Sequence, residues 1–587
     1  LEAQTVARES SASDFQTGQV GEVYDSDGNR IALLQNDKNI IYLTSDQIPE
    51  LVKQAFVSIE DKRFYKHHGS DPFAIVRAVT SLLGKGRITQ GGSTITQQLV
   101  RNIYLTHTIR WERKVEEIFI AHAMEREYSK DELLEFYINN IYFSNGCYGI
   151  EAASQKYFSR RVSDLDLSET AFLCAIPNNP SIYDPLTHAD KTIERRNLIL
   201  QNMLDDGIIN EQQYTDAVNE KITLNPYSPS YTRTWAHTYI YECATRALME
   251  VTGKDYDTCH DMLYNNGYKV YTSIDMEAQE LLQTTVDTEL EDYNTRNNNG
   301  SYALQASAVT IDNTTGLVTA IVGGRSQDDV SADYNRAYLS FRQPGSSIKP
   351  LIVYTPVLER GYTASSTVVD SKEPDGPSNA GSYSGAISLR TAVEQSKNTV
   401  AYKLFRELTP EVGLQYLLNM NFSSIQDSDY VLSAALGGLS KGASCLEMTS
   451  AYATLENEGV FRQPTCVTLI TDSKGNVVVR SETEEKQVYQ SSAAHEMTNI
   501  LEGVLTRGTA HGKALTNMPC AGKTGTTNDN IDGWFVGYTA YYTTGVWVGF
   551  DSPRSTHSLS GATYPLDIWY NYMTELHKDR SSRNLND

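Results

Sequence analysis

Pro344-Gly345-Ser346-Ser347-Ile348-Lys349-Pro350 is the stretch on which the reading of this chain turns. Pro350 suits the first turn of a helix and Gly361 a C-terminal cap, so the heptapeptide opens a helix. Ser346 and Lys349 stand three apart and share one helix face. An amine beside a hydroxyl takes its proton once the amine is partly neutral. A helix N-terminus and a neighbouring cation both push a lysine that way. Ser396-Lys397-Asn398 follows, and Lys523-Thr524-Gly525-Thr526 stands later at the start of a strand pattern. Each signal is weak alone, since Ser-x-x-Lys arises by chance in most long chains. In this order they read as a nucleophile with its lysine (Ser346, Lys349), a proton-relaying pair (Ser396, Asn398) and a cationic strand (Lys523) for a substrate carboxylate. Pro356 removes a backbone hydrogen bond and should kink the helix beyond the site.

Around that stretch, residues 306–323 read as a hairpin turning at Asp312-Asn313-Thr314-Thr315-Gly316, and residues 534–550 as another, with helical patterns between. That is an α+β layout. The first third differs. A hairpin at 18–45, turning at Asp25-Ser26-Asp27-Gly28, precedes a helix whose Val52, Ala55, Phe56 and Ile59 share a face. Residues 72–83, 112–127 and 130–142 also read as helices, the last opened by a Ser129/Glu132 capping box. Residues 84–98 read as a loop, and 178–235, with Pro and Asn clusters, as a linker with short helices. Asp275 precedes a further helix, and Asn297-Asn298-Asn299-Gly300 marks a boundary.

Composition bounds the function. A chain of 587 residues holds several domains, and a net charge of −23 argues against a general nucleic-acid binder. No run approaches 18 apolar residues, so nothing reads as a bilayer span. The start at Leu1, with no basic-then-apolar leader, reads as processing or truncation. The seven cysteines lack zinc-type spacing and read as buried thiols, with Cys243–Cys259 open as a disulfide.

Polar clusters recur in the helical third. They are Glu60 to Gly69 (EDKRFYKHHG), Gly91 to Gln98 (GGSTITQQ), Arg113-Lys114 before Glu117, and Glu135 to Asn140. Separated glutamates with cations between them suit chemistry at an anomeric carbon, one carboxylate as base and the cations on a leaving pyrophosphate. Surface salt bridges are the alternative. From Pro72 to Trp111 there is no Asp or Glu, against about five expected by proportion, while Arg77, Lys85, Arg87, Arg101 and Arg110 fall there. With Phe73, Ile75, Val76, Val79, Leu82 and Leu83, the segment suits either an anionic, lipid-like partner or an ordinary helix core.

These residues resemble a family. RQPGSSIKP (Arg342 to Pro350), Ser396-Lys397-Asn398, and KTGTTND (Lys523 to Asp529) followed by Gly533 to Tyr538 are similar to the transpeptidase domain of class A penicillin-binding proteins. Residues 60–69, 91–98, 113–117, 130–140 and EAASQKYF (Glu151 to Phe158) resemble the ordered motifs of the peptidoglycan glycosyltransferase domain, with Ser159-Arg160 where Gly-Lys often follows. The resemblance implies a multidomain chain: an N-terminal hairpin segment (1–44), a mainly-α, lysozyme-like glycosyltransferase domain (45–200), a linker region (201–300), an α+β penicillin-binding domain (301–575) and a tail (576–587). It implies Glu60 as base on the acceptor sugar's 4-hydroxyl and Glu117 as second catalytic carboxylate. Ser93, Gln97, Gln98, Arg113 and Lys114 would bind the lipid pyrophosphate, with Asp61 and, in the second domain, Thr524, Gly525 and Thr526 as further substrate-binding residues. Expected partners are lipid II and the growing glycan strand, stem peptides ending in D-Ala-D-Ala, β-lactams as inhibitors, and the membrane surface, with no nucleic acid. The implied place is the outer face of the cytoplasmic membrane, with the anchor helix outside this chain. No organic cofactor is implied; a divalent ion at the pyrophosphate is left open. Two rivals stand beside this reading: a hydrolase pairing a D,D-carboxypeptidase or β-lactamase-like half with a lytic half, and a catalytically silent receptor.

Overall fold

The computed structural model describes residues 5, 15, 19–34, 39–85, 91–104, 111–226, 233–326 and 334–586, with the side chains of 39, 78, 79, 81–85 and 111–113 outside the description. The side chains of Val79, Leu82, Leu83, Lys85 and Arg113 therefore lie outside it, as do Arg87 and Arg110.

The first third is helical because its apolar residues recur at helical spacing. In α1 (Glu50–Glu60) the expected face of Val52, Ala55, Phe56 and Ile59 is buried. Next come α2 (Pro72–Lys85), α3 (Ile95–Tyr104), α4 (Trp111–Glu127) and α5 (Lys130–Asn140), the last opened by the expected Ser129/Glu132 box. The expected loop over 84–98 ends earlier, at Thr94. Thr94 Oγ1 accepts from the Gln97 N–H, and the Thr94 N–H donates to Gln97 Oε1 at 2.8 Å, so the two residues cap α3 reciprocally. Helices α6 (Ile150–Phe158), α7 (Leu167–Ala175), α8 (Ala189–Asp205) and α9 (Glu211–Asn219) complete this part. Ile199, Leu200, Met203 and Ala217 lie in the same core as Phe56 and Tyr137, and Leu224 packs against it. The helical core thus runs past residue 200, and the proposed linker begins inside it. The Pro and Asn residues that suggested a linker occupy the turn between α7 and α8.

A second core takes in residues from Trp235 to Leu585 together with Val23, Ile31, Ala32 and Leu34 of the N-terminal hairpin. That hairpin is β1 (Gly21–Tyr24) and β2 (Arg30–Leu34). Its turn is closed by the Asp25 carboxylate, which accepts from the N–H groups of Asp27 and Asn29. β1 pairs in parallel with β3 (Lys269–Thr272), inside a five-stranded sheet whose other strands are Val467–Thr471 and Val477–Arg480. Asp275 caps helix Met276–Glu289 as expected.

The main sheet is built from both expected hairpins. β4 (Leu304–Asp312) and β5 (Val318–Val322) join β6 (Ala521–Thr526), β7 (Asp532–Tyr538) and β8 (Tyr542–Phe550) in the order β6-β7-β8-β4-β5, antiparallel throughout. β6 is the edge strand that carries Lys523.

The nucleophile segment departs from the single helix expected. It is a 3₁₀ turn over Gly345–Ile348, a π-turn over Pro350–Tyr354 and a short α-helix over Thr355–Leu358 that stops before Gly361. Pro350 and Pro356 have no N–H to give, so the ladder widens between them, with the Thr355 N–H reaching Pro350 O. Tyr489 OH donates to Leu351 O at 2.5 Å.

All seven cysteines are free thiols, and Cys243 meets Cys466 rather than Cys259.

Candidate active sites

The nucleophile turn lies directly against strand β6. A Cβ on Gly345, whose φ is +56°, would come within 2.8 Å of Thr526 O; one on Gly525 would come within 2.5 Å of Pro344 O. Glycine at both positions lets two backbones meet and sets Ser346 beside Lys523's strand. The turn is fixed from behind. Ser347 Oγ donates to Pro344 O, Tyr452 OH to Ser347 O, and Trp534 Nε1 to Gln343 O. Buried Arg342 reaches Asp532 at 2.9 Å, where Trp547 Nε1 also donates.

Lys349 sits one 3₁₀ turn after Ser346 and is fully buried. Its Nζ donates to Asn398 Oδ1 at 2.7 Å, to Ser396 O at 3.0 Å and to Ser396 Oγ at 3.2 Å. Lys523, also fully buried, donates to the same Ser396 Oγ at 2.9 Å and to Thr524 O at 2.9 Å. Burial, with the charge of Lys523 beside it, holds the Lys349 pKa well below the ordinary lysine range, and burial brings Lys523 down to about 7. Two lysines poised to lose a proton thus flank one serine hydroxyl. Lys349, Ser396, Asn398 and Lys523 come from three distant parts of the sequence and meet here, with Ser346 one turn before Lys349. Thr524 Oγ1 contacts Thr509 Oγ1, and Thr526 Oγ1 accepts from the Gly561 N–H.

The second site lies in the helical part. Glu60 ends α1. Arg195 of α8 donates to its Oε1 at 3.0 Å, and Gln98 of α3 to its Oε2 at 3.1 Å. Tyr137 OH fixes the Gln98 amide by donating to Gln98 Oε1. Three residues on, on the same face of α3, Arg101 grips Glu117 with two bonds of 3.0 and 3.1 Å. One helix therefore hands a polar group to each carboxylate. Lys114 also pairs with Glu117, and Ser93 Oγ accepts from both Lys114 and Arg101. Burial pushes the Glu117 pKa up, and the bonds from Arg101 and Lys114 more than reverse that, so it lies below the ordinary range. Glu60, Arg77 and Ser93 line one small cleft.

Two residues expected to bind substrate are tied into the protein by internal hydrogen bonds. Asp61 is buried; its Oδ2 accepts from His67 Nε2 at 2.7 Å and from the Ile95 N–H at 3.0 Å. The Gly69 N–H donates to His67 Nδ1, which leaves the ring proton on Nε2. Gln97 is buried in the α3 cap. Asp61 also borders the small cleft shared by Glu60, Arg77 and Ser93. Gln98 holds Glu60 instead of reaching outward. Arg101 and Arg195 were missed: the first was legible only as one cation of the acid-free segment, the second lay in the supposed linker.

Among the described residues no group of three His, Cys, Asp or Glu could hold a metal ion, and no helix is long and apolar enough to cross a membrane.

Comparison with known proteins follows the same division. A transglycosylase family model matches residues 27–204, and a model of the penicillin-binding protein transpeptidase domain matches 306–558. Penicillin-binding protein 4 of Bacillus subtilis is 37% identical, over 93% of this chain and 90% of its own length. Penicillin-binding protein 1A of Aquifex aeolicus is 32% identical, over 94% and 86%. Among solved structures, penicillin-binding protein 1A of Haemophilus influenzae shares the fold over 97% of this chain and 94% of its own, with a TM-score of 0.66 at 21% identity. PonA1 of Mycobacterium tuberculosis, solved with penicillin V, covers 60% of this chain and 95% of its own at 26% identity and a TM-score of 0.51. Helical part and sheet part each match a catalytic family along their length, and relatives span both: the chain belongs to the class A penicillin-binding proteins, the bifunctional peptidoglycan synthases that carry a glycosyltransferase and a D,D-transpeptidase on one polypeptide.

Proposed function

We propose that Ser346 is the acyl-transfer nucleophile and that Lys349 takes its proton. The observation that carries this is Lys349 itself: buried, kept from its usual charge and aimed at Ser396 and Asn398 one turn from Ser346. Ser346 Oγ attacks the carbonyl between the two D-alanines of a stem peptide. Ser396, bonded to both lysines, returns the proton to the departing amine. Lys523, with Thr524, Gly525 and Thr526 along β6, receives the terminal carboxylate and aligns the peptide beside the edge strand. A β-lactam presents the same carboxylate and a strained amide, and acylates the same serine.

In the helical part, Glu60 acts as base on the acceptor 4-hydroxyl, kept in place by Arg195 and Gln98. The acceptor oxygen attacks the anomeric carbon of the lipid-linked donor, and the lipid pyrophosphate leaves toward Lys114, Arg101 and Ser93. Lys114 and Arg101 are 46% and 40% exposed, so they can meet a ligand while holding Glu117. A divalent ion does not fit as a further protein-held partner, because Glu60 and Glu117 are each committed to arginine, and no step is routed through one.

A lipid-linked substrate supports the outer face of the cytoplasmic membrane as the surface on which the domain works. Phe73, Ile75 and Val76 on α2 are 66, 43 and 62% exposed, and Val115 and Phe119 on α4 are 41 and 62% exposed. Residues of this size left in solvent beside an acid-free, basic segment suit the headgroup boundary. The deciding experiment is incubation with lipid II, with and without penicillin, followed by gel analysis of glycan chains and mass analysis of cross-links. Glycan polymer with penicillin-sensitive cross-links is expected. Release of D-alanine or of short glycans to water, with no polymer, would establish the hydrolase instead.

A further inference from the structure

Residues 369–384 belong to no motif read from the sequence, yet they close around the Ser396-Lys397-Asn398 turn. Asp370 is fully buried and accepts from Thr399 Oγ1 at 2.6 Å, Asn379 Nδ2 at 2.7 Å and the Ser384 N–H at 2.8 Å, with Lys397 Nζ 3.3 Å away. Asn379 turns its other atom on the motif: its Oδ1 accepts from the N–H of Asn398 at 3.0 Å and from that of Thr399 at 3.4 Å. Ser378 O accepts from Asn398 Nδ2, and Ser382 O from Lys397 Nζ.

We propose that Asp370 and Asn379 are positioning residues for the acyl-transfer site, which fix the turn that presents Ser396 and Asn398 to Lys349. The inference rests on the reading of Ser346 as nucleophile.

Three features of the turn call for such support. Ser396 has φ +55°, a left-handed conformation that a serine holds only when its surroundings impose it. The helix that follows, Asn398–Leu408, has Lys397 at its N-cap, and lysine has no acceptor for the first helical N–H groups. Asn379 supplies that acceptor from outside the helix. Lastly, the Asn398 amide is held at both ends, Nδ2 by Ser378 O and Oδ1 by Lys349, so its oxygen cannot turn away from the lysine. The Asn379 amide is itself oriented, since Nδ2 donates to Asp370 and Ser382 O. A carboxylate at 370 accepts from all its neighbours, whereas an amide there would set a donor against donors.

The test compares full-length wild type, Asp370→Asn and Asn379→Ala by stopped-flow acylation with a fluorescent penicillin. The assay separates the pre-acylation dissociation constant from the first-order acylation step, and folded fraction is measured by thermal melting. Both variants should acylate about 10- to 100-fold more slowly with the dissociation constant within about twofold, since small misplacements of reacting groups cost rate rather than binding. Arg406→Ala, which breaks an exposed pair with Glu373 on the same loop, should acylate as wild type does. Acylation within about threefold of wild type per folded molecule, or weaker binding with an unchanged first-order step, overturns the inference. If Asp370→Asn does not fold, Asn379→Ala, which keeps the carboxylate, decides on the same criterion. A wild-type chain that takes no adduct on Ser346 overturns the underlying reading as well; a normal wild type with normal variants overturns this one alone.

Discussion

Lys523→Met should stabilise the penicillin-binding half at neutral pH while ending its reaction with penicillin. Burial holds Lys523 at about 7 against an ordinary 10.5. At about 1.4 kcal/mol per pH unit, the native state carries a penalty of at most about 5 kcal/mol at pH 7 and below. Between pH 7 and 10.5 the unfolded lysine keeps its proton and the native one has lost it. The penalty therefore shrinks as pH rises and is gone at 10.5. Methionine fills similar space without charge and removes the penalty. It also strands the Ser396 hydroxyl and the Thr524 carbonyl, each now 2.9 Å from Nζ, at about 1 kcal/mol apiece. The variant should gain about 3 kcal/mol at pH 6.5, match wild type near about pH 9 and fall slightly below it above that. Urea unfolding followed by tryptophan fluorescence reads this half, because Trp534, Trp547 and Trp569 are buried in it. A difference from wild type that stays constant from pH 6.5 to 9.5, or a loss of stability at pH 6.5, would show that burial does not govern Lys523.

Ser346→Ala should take no penicillin adduct by intact mass, and an adduct persisting in that variant assigns the nucleophile elsewhere. Glu60→Gln should lower glycan polymerisation from lipid II by about 10²- to 10⁴-fold; penicillin acylation should be unchanged, because the sites occupy separate cores. Replacing Phe73, Val76 and Phe119 together with Ser should weaken binding to anionic vesicles by about tenfold or more without lowering the melting temperature, since all three are already in solvent. A sharp fall in melting temperature with unchanged vesicle affinity would make the patch structural.

Much of this was legible where the signal is local. The buried face of α1, the Ser129/Glu132 box, the Asp275 cap and both hairpins of the main sheet follow from spacing within a dozen residues. The lysine motifs converge as their chemistry requires. Three kinds of information were not local. The start of α3 was hidden because the Thr94/Gln97 cap is written in the residues of a polar loop. The partners of Glu60 and Glu117 come from elsewhere: Arg195 reaches Glu60 from α8, and Arg101 reaches Glu117 from α3. The third is space itself: Cys259 is closer to Cys243 in the chain, but Cys466 is its neighbour in the fold.

The sheet that contains the N-terminal hairpin has a consequence for the order in which the chain can mature as it is synthesised. Its strands come from residues 21–34, 269–272 and 467–480, so its first two strands emerge long before the last two exist. A lone two-stranded hairpin is marginal in water. The helical core, by contrast, needs nothing beyond Leu224 and can close early. The glycan-polymerising half should therefore be protease-resistant while its own leading hairpin still waits for partners. Chains halted before residue 467 should be cut near residues 21–34 and spared over α1 to α9, and release of the remaining chain should protect the hairpin last. The hairpin at residues 21–34 thus marks completion, locked in only when the penicillin-binding half has arrived.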